Sequence, residues 1–273
     1  MNGLPLPGPL WLIGCGNMAG AMLEGWIAAG IDPGQVTVIR PSGRSVGHHI
    51  RVLTAPPEDE VPAMAMLGMK PYQLDAVAAE LAPILGARTV LVSILAAIEL
   101  ATLRARFAAP RTIVKAMPNT PVAIRKGVVD LFTDSADADA RSTVERLMSA
   151  LGHTEWFEDE TLFQAAGHLT GAGPAFLYRF IDALAAAGER LGLPAEQAAR
   201  LAAAMVEGAG ALAARSEDSP SALAERVASP GGTTRAGLDV LDESRALDAL
   251  VLKTLEASRG RSLEMAAEGR GPD

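Results

Sequence analysis

Leu10-Trp11-Leu12-Ile13-Gly14-Cys15-Gly16-Asn17-Met18-Ala19 is the stretch on which the reading of the fold turns. Four apolar residues predict a strand over Leu10–Ile13, and the amphipathic run Gly16–Ala29 predicts a helix directly after it. Between them stands G-x-G-x-x-A in strand–turn–helix context. Gly14 makes the tight turn, Gly16 lets a pyrophosphate approach the backbone, and Ala19 permits close helix–strand packing. A helix that starts there offers unpaired amides to phosphate. The motif therefore predicts a dinucleotide site, with Gly14, Gly16, Asn17, Met18 and Ala19 as its cofactor-binding turn.

The following sequence repeats the alternation. Val36–Arg40 reads as a second strand, Ala63–Met69 as a third apolar run and Pro71–Leu85 as a helix spaced by Leu74, Val77, Leu81 and Ile84. Thr89–Ile94, Ile113–Ala116 and Gly127–Phe132 are further β-branched runs. Strands alternating with helices predict an α/β domain with a parallel sheet of Rossmann type. From about Thr161 strand signals vanish, and Ala- and Leu-rich helical segments follow over Thr161–Leu191, Ala195–Arg215, Ser221–Val227 and Thr233–Ala267. The expected organisation is a dinucleotide-binding domain over 1–160 and an all-α domain over 161–273. Alanine-rich helices bury little large side-chain surface alone, so a homodimer through the helical domain is expected, or a larger homo-oligomer built on it. The polar tail Glu268–Asp273 is expected to fray.

Composition narrows the class. The 273 residues carry a formal charge of −8, without the basic patch that a nucleic-acid surface needs. No apolar stretch reaches the roughly 20 residues of a membrane span. Met1–Pro9 has no basic residue and three prolines, unlike a secretory signal. Cys15 is the single cysteine, which excludes an intramolecular disulfide and suits a reducing compartment, so the expectation is cytoplasmic. His48, His49, His153 and His168 are scattered with no ligand spacing, so no metal site is expected. Of these, His48 and His49 read as exposed loop and His168 as packed. Pro56–Glu60 reads as a solvated acidic loop and Glu158–Glu160 as the acidic entry to a helix.

The end of the second strand bears on cofactor choice. An acid there would bind a ribose 2′-hydroxyl and repel a phosphate. The sequence reads Arg40-Pro41-Ser42-Gly43-Arg44 instead, so Arg40 and Ser42 predict NADPH ahead of NADH.

Several separated motifs then resemble one family, in order and nearly end to end. Gly14–Ala19 matches GxGNMA, Met69-Lys70-Pro71 resembles V-K-P, and Val92-Ser93-Ile94 resembles VSI. Met117–Pro121 is MPNTP, Gly171–Ala175 resembles the SGSGPAY helix start, and Ser229–Thr234 resembles the C-terminal signature. The chain resembles pyrroline-5-carboxylate reductases. The resemblance implies hydride transfer from NAD(P)H to the C=N of a small cyclic imine acid, giving proline. It implies cofactor contacts from Met69, Lys70, Pro71, Ser93 and Asn119. Substrate contacts would come from Met117, Asn119, Gly171, Gly173, Pro174, Gly231, Gly232, Thr233 and Thr234. It puts Thr234 and Lys70 in the catalytic role, with the Thr234 hydroxyl an orienting donor before it is an acid. Lys115, Tyr72, Ala97, Thr170, Ala172 and Phe176 depart from the pattern, and the lost serines at 170 and 172 leave another cyclic imine acid open. A hydroxyacid dehydrogenase would want a lysine on its long helix, and Tyr178–Arg190 has none. A cofactor-binding regulator without turnover is the reading from outside enzymes.

Overall fold

The computed structural model describes residues 3–268; residues 1–2 and all of the predicted tail but Glu268 lie outside them. The described chain divides into two compact units, 3–172 with 259–268, and 173–258.

The first unit is built on an eight-stranded sheet: β1 (Leu10–Ile13), β2 (Val36–Ile39), β3 (Arg51–Leu53), β4 (Met64–Leu67), β5 (Val90–Ser93), β6 (Thr112–Pro118), β7 (Gly127–Phe132) and β8 (Gly152–Phe157). Their order is β3-β2-β1-β4-β5-β6-β7-β8. β1 pairs in parallel with both β2 and β4, so the order reverses beside it and the topological switch point falls at the C-terminal end of β1. The expectation of a parallel sheet needs one correction. β7 runs antiparallel to β6, and β8 follows β7, so two of the eight strands are reversed.

Alternation along the strands sorts side chains to two cores. Leu10 and Leu12 join Met22, Leu23 and Trp26 of α1 (Asn17–Ala28) and Val144, Leu147 and Met148 of α4 (Ala138–Ser149). Trp11 and Ile13 face the other way. They join Leu74, Ala78 and Leu81 of α2 (Leu74–Leu81), Leu100 and Leu103 of α3 (Leu100–Arg106) and Phe163 of α5 (Glu160–Thr170). Helices therefore cover both faces, as a mainly parallel sheet with apolar strands requires. Trp26 is wholly buried and donates its indole N–H to the Leu147 carbonyl at 2.8 Å, which ties the two helices of its face. Side chains set the helix starts: Asp137 accepts from the Ala140 amide, and Asp159 from those of Thr161 and Leu162. These amide bonds, that of Leu162 foremost, hold the Asp159 carboxyl below its ordinary range.

Pro71–Leu85 is shorter than predicted, with a 3₁₀ turn over Pro71–Gln73 ahead of α2. The acidic loop is not wholly solvated. Glu60 accepts from Trp11 Nε1 at 2.7 Å and from Arg51 at 2.8 Å.

The second unit is helical: α6 (Gly173–Arg190), α7 (Ala195–Ala213), α8 (Pro220–Val227), α9 (Thr233–Asp242) and α10 (Ala246–Glu268) as far as residue 258. The predicted Thr161–Leu191 segment breaks at Gly171-Ala172 into α5 and α6, and Thr233–Ala267 breaks at a 3₁₀ turn, Glu243–Arg245. α6, α8 and α9 bury no residue fully, whereas Leu177, Phe180, Leu201, Met205, Leu212 and Leu250 are large and exposed. A lone copy leaves this much apolar surface in water.

Candidate functional site

A cleft of about 1030 Å³ lies over the C-terminal ends of β1, β2, β4 and β5. It brings together Gly14, Gly16, Asn17, Met18, Arg40, Ser42, Met69, Lys70 and Pro71 of the predicted residues. Its size is at the upper end for small-ligand sites, which suits a dinucleotide.

Gly14 has φ +78°, and a Cβ there would stand 3.0 Å from the Met69 backbone, so only glycine makes this turn. Gly16 has open space where its Cβ would be, which leaves the backbone approachable. α1 then starts with no side-chain cap and no acid in its first turn. Its first amides have no intrahelical acceptor and are left for an anion. Ala19 does not line the cleft. It is buried, and its methyl stands 3.0 Å from where a Cβ on Gly68 would lie, which sets how closely α1 approaches β4.

At the end of β2 the Arg40 amide bonds the Leu53 carbonyl, and its side chain donates Nε to Ser42 Oγ at 2.9 Å. The Arg44 amide reaches the same oxygen at 3.4 Å. The Ser42 oxygen is thus an acceptor for two neighbours while its own proton stays available, and Arg40 holds its terminal nitrogens beside the cleft. No acid stands at this strand end. The arrangement fits the 2′-phosphate of NADP.

Lys70 is exposed at the cleft edge, with its amide donating to Gln73 Oε1 at 3.0 Å. Tyr72, Gln73, Ala76, Val77 and Glu80 of the following turn and helix, and Thr54 and Pro56 beyond β3, also line the cleft. Sequence reasoning missed these, although Tyr72 and Gln73 sit one and two residues beyond a predicted contact. Cys15 lines it too, half-buried. Burial pushes its thiol up, with Arg40 opposing, which disfavours the thiolate.

Besides Ala19, two predicted cofactor residues stand back from the wall. Ser93 is buried and its hydroxyl accepts from the Leu95 amide at 3.3 Å; Ile94, Leu95 and Ala96 line the cleft instead. Asn119 is buried, donates Nδ2 to the Thr170 carbonyl at 3.0 Å and accepts from the Val128 amide at 2.9 Å. It clamps β7 to the end of α5.

Met117 packs against Gly167 and Gly171 of that helix end. The Gly171 amide is not open to a ligand, because it closes α5 on the Gly167 carbonyl at 3.0 Å. Pro174 contributes no amide, so in the turn that leads into α6 the candidate donors are Gly173 and the residues after Pro174. In the second unit Gly231 (φ +70°) and Gly232 precede α9, which lacks a side-chain cap and first-turn acid; Thr233 and Thr234 are exposed there.

Lys115 is buried on β6. It pairs with Glu160 at 2.6 Å and lies 4.9 Å from the Phe163 ring centroid. Burial drives its ammonium below the ordinary lysine range, with Glu160 opposing. The same Glu160 oxygen accepts the Leu100 amide at 2.9 Å, so one carboxylate joins β6, α3 and α5. His48 is exposed and pairs with Glu24 at 2.9 Å. His168 is half-buried, and burial with nearby Arg259 holds it below the ordinary range. Among the described residues no cluster of three or more potential metal-ligating side chains occurs, and no helix is long and apolar enough to cross a membrane.

A doubly wound sheet with a phosphate turn at its switch point, followed by a separate helical unit, defines an NAD(P)-dependent oxidoreductase of two-part build. Comparison with known proteins agrees. Residues 10–97 match the family model described as NADP oxidoreductase coenzyme F420-dependent, and 160–265 match that for pyrroline-5-carboxylate reductase dimerisation. The pyrroline-5-carboxylate reductase of Pseudomonas aeruginosa is 34% identical over 94% of this chain and 96% of its own length. The structure of a pyrroline-5-carboxylate reductase from Coxiella burnetii is 31% identical with a TM-score of 0.86, covering 95% of this chain and 98% of that one. A Plasmodium falciparum pyrroline carboxylate reductase solved with NADP bound shares the fold at a TM-score of 0.81 and 24% identity, over 95% and 98% of the two chains. The chain belongs to the pyrroline-5-carboxylate reductase family.

Proposed function

We propose that the chain reduces the C=N bond of 1-pyrroline-5-carboxylate to give proline, with NADPH as reductant. The observation that carries this is the glycine turn at the switch point, in a cleft of dinucleotide size whose β2 end holds Arg40 and Ser42 and no acid. The bound dinucleotide supplies the hydride.

The chain's own residues bind, orient and exclude. Gly14, Gly16, Asn17 and Met18 present backbone to the pyrophosphate, with Ala19 setting the depth of the turn behind them. Arg40 and Ser42 take the 2′-phosphate. Met69, Lys70 and Pro71 form the cleft edge, with Lys70 a catalytic candidate, and Ser93 and Asn119 act from behind by fixing the loops that carry contacts. In the first unit we assign Met117, Asn119 and Gly171 to the substrate. In the second we assign Gly173, Gly231, Gly232 and Thr233, whose helix-start amides suit a carboxylate, Pro174, whose ring fixes the first turn of α6 without donating, and Thr234, whose hydroxyl hydrogen-bonds the ring nitrogen and orients it.

We read 1–160 as the dinucleotide domain and 161–273 as the dimerisation and substrate domain. The exposed apolar side chains of α6, α7 and α10 support association through that half as a homodimer or a larger homo-oligomer. The single cysteine, which allows no intramolecular disulfide, supports work in a reducing compartment such as the cytoplasm.

One observation favours a second substrate. Of the two positions where the family pattern has serine, Ala172 has no hydroxyl and Thr170 turns its own toward Asp130 and Ala166. With neither position turning a hydroxyl to a ligand, a six-membered cyclic imine acid stays open as the substrate. NADPH absorbance followed with the five- and six-membered substrates in parallel decides. Oxidation with the five-membered ring is the expected result, and oxidation with the larger ring alone moves the substrate. Silence with both, in protein that binds NADPH, overturns the reductase and leaves a cofactor-binding regulator.

A further inference from the structure

Asp130 lies inside the apolar strand β7 and is 1% exposed. In register it stands between Met117 of β6 and Glu155 of β8. Its carboxyl meets the Thr170 hydroxyl, and the same hydroxyl lies 3.0 Å from the Ala166 carbonyl. A threonine hydroxyl has one proton, and a carbonyl oxygen only accepts. With Asp130 ionised, one proton faces two acceptors and one contact goes unmade. With Asp130 protonated, the acid donates to Thr170 Oγ1, Thr170 donates to Ala166 O, and both contacts are hydrogen bonds.

The surroundings favour the neutral form. Burial is the largest influence and raises the carboxyl above the ordinary carboxylate range; the Thr170 contact and His153 oppose, and Glu155 adds to the rise. Glu155 is a like charge directly across the strand pair, and His153, two residues along β8, is engaged with Glu155 at 3.2 Å. On β6 the charged group is Lys115, committed to Glu160. The 3₁₀ turn Thr120–Ile124 against β7 carries no charged side chain. α5 contributes Glu160 and His168, and its C-terminal end, where Thr170 sits, is the negative end of the helix dipole.

We propose that Asp130 is a positioning residue that works as a neutral acid, fixing through Thr170 the last turn of α5, from which the chain enters Gly171–Pro174. It does so with Asn119, which holds the Thr170 carbonyl from the other side. The consequence for catalysis rests on the assignment of that turn to the substrate's carboxylate. A carboxyl raised in this way keeps the clamp intact at low pH and loses it as pH rises through its folded value.

The test uses the whole protein with NADPH. KM for the imine acid is measured against pH for the native chain, Asp130→Asn, Thr170→Ser and Thr170→Val, with NADPH affinity from fluorescence. In the native chain KM rises about twofold to tenfold across the ionisation. Asp130→Asn, whose amide donates to Thr170 at every pH, removes that rise, and Thr170→Ser keeps it. Thr170→Val raises KM at all pH, and NADPH affinity holds throughout. Protonation of the imine shifts all profiles alike, so the difference between them isolates Asp130. An infrared carboxylic-acid band that disappears over the same pH range as the KM rise, and is absent from Asp130→Asn, reports the neutral acid without any turnover. Absence of that band, or an Asp130→Asn profile identical to native, overturns the proposal. Repeating the series with 1-pyrroline, which lacks the carboxylate, separates the two readings. An Asp130-dependent rise seen equally with 1-pyrroline sustains the clamp but removes the turn from carboxylate binding.

Discussion

Arg40 gives one nitrogen of its guanidinium to Ser42 and holds the planar fork at the end of β2, where a phosphate can be met by two donors at once. Arg40→Ala is expected to weaken NADPH roughly tenfold to a hundredfold, the worth of one or two charge-assisted hydrogen bonds, while NADH binding changes little. Titration of both cofactors against the variant checks this, and equal weakening removes the phosphate assignment. Thr234 is exposed at the start of α9. If its hydroxyl only orients the ring nitrogen, Thr234→Ala lowers kcat about threefold to tenfold with NADPH affinity intact. A loss beyond roughly a hundredfold would mark it as the proton donor, and no loss would take it out of the mechanism. The residues of the glycine turn were legible because their chemistry is local: φ at Gly14 and the amides behind it belong to six consecutive positions. Ser93 and Asn119 were legible as motif members but not as buried braces, since their partners, Leu95 apart, lie on other elements.

Glu160 carries three elements on one carboxylate, and this makes the start of α5 sensitive in an asymmetric way. Glu160→Ala leaves the Lys115 ammonium buried and unpaired. It should cost toward the low end of the roughly 3–5 kcal/mol of a broken buried pair, because Glu160 keeps 27% of its side chain exposed while Lys115 keeps 7%. Lys115→Met removes the charge with the stem's volume nearly kept and should cost much less. Denaturant midpoints of the two variants give the comparison, and equal losses would deny the asymmetry. Asp130 supplies a second test at this scale. Its raised carboxyl means the folded state prefers the proton, so stability is lost as pH rises through the folded value. Thermal unfolding of Asp130→Asn should therefore gain on the native protein as pH increases. Neither pair was legible: Lys115 and Glu160 are 45 residues apart and Asp130 and Thr170 are 40. The one signal available was a lone acid inside the β-branched run Gly127–Phe132. β3, β8 and α4, like the seven-residue α3, went unread for related reasons. β3 is a three-residue edge strand, β8 an edge strand with two of its residues open to water, and α4 is polar on its outer side.

At the scale of the molecule, the helical unit leaves apolar side chains on α7 that fit no monomer. Leu201 and Met205, one helical turn apart, are each 52% exposed. Replacing both with Asp is expected to shift the protein from oligomer to monomer in light scattering while NADPH still binds, and an unchanged mass would place the interface elsewhere. The change from alternating elements to helices alone was visible in composition, whereas the breaks at Gly171-Ala172 and Glu243–Arg245 were not, because helical periodicity continues on both sides of each.

The reversal of β7 and β8 has a consequence of parity. After a strand running with β1, a returning helix would carry the chain away from the edge where ligands bind. After β8, which runs against β1, α5 returns the other way, from Phe163 beside Phe132 to Thr170 beside Asn119 at the end of β6. The chain thus leaves the sheet at its ligand-binding edge because its direction has been inverted once. Any redesign of the sheet must keep that count odd if the chain is still to leave it at that edge.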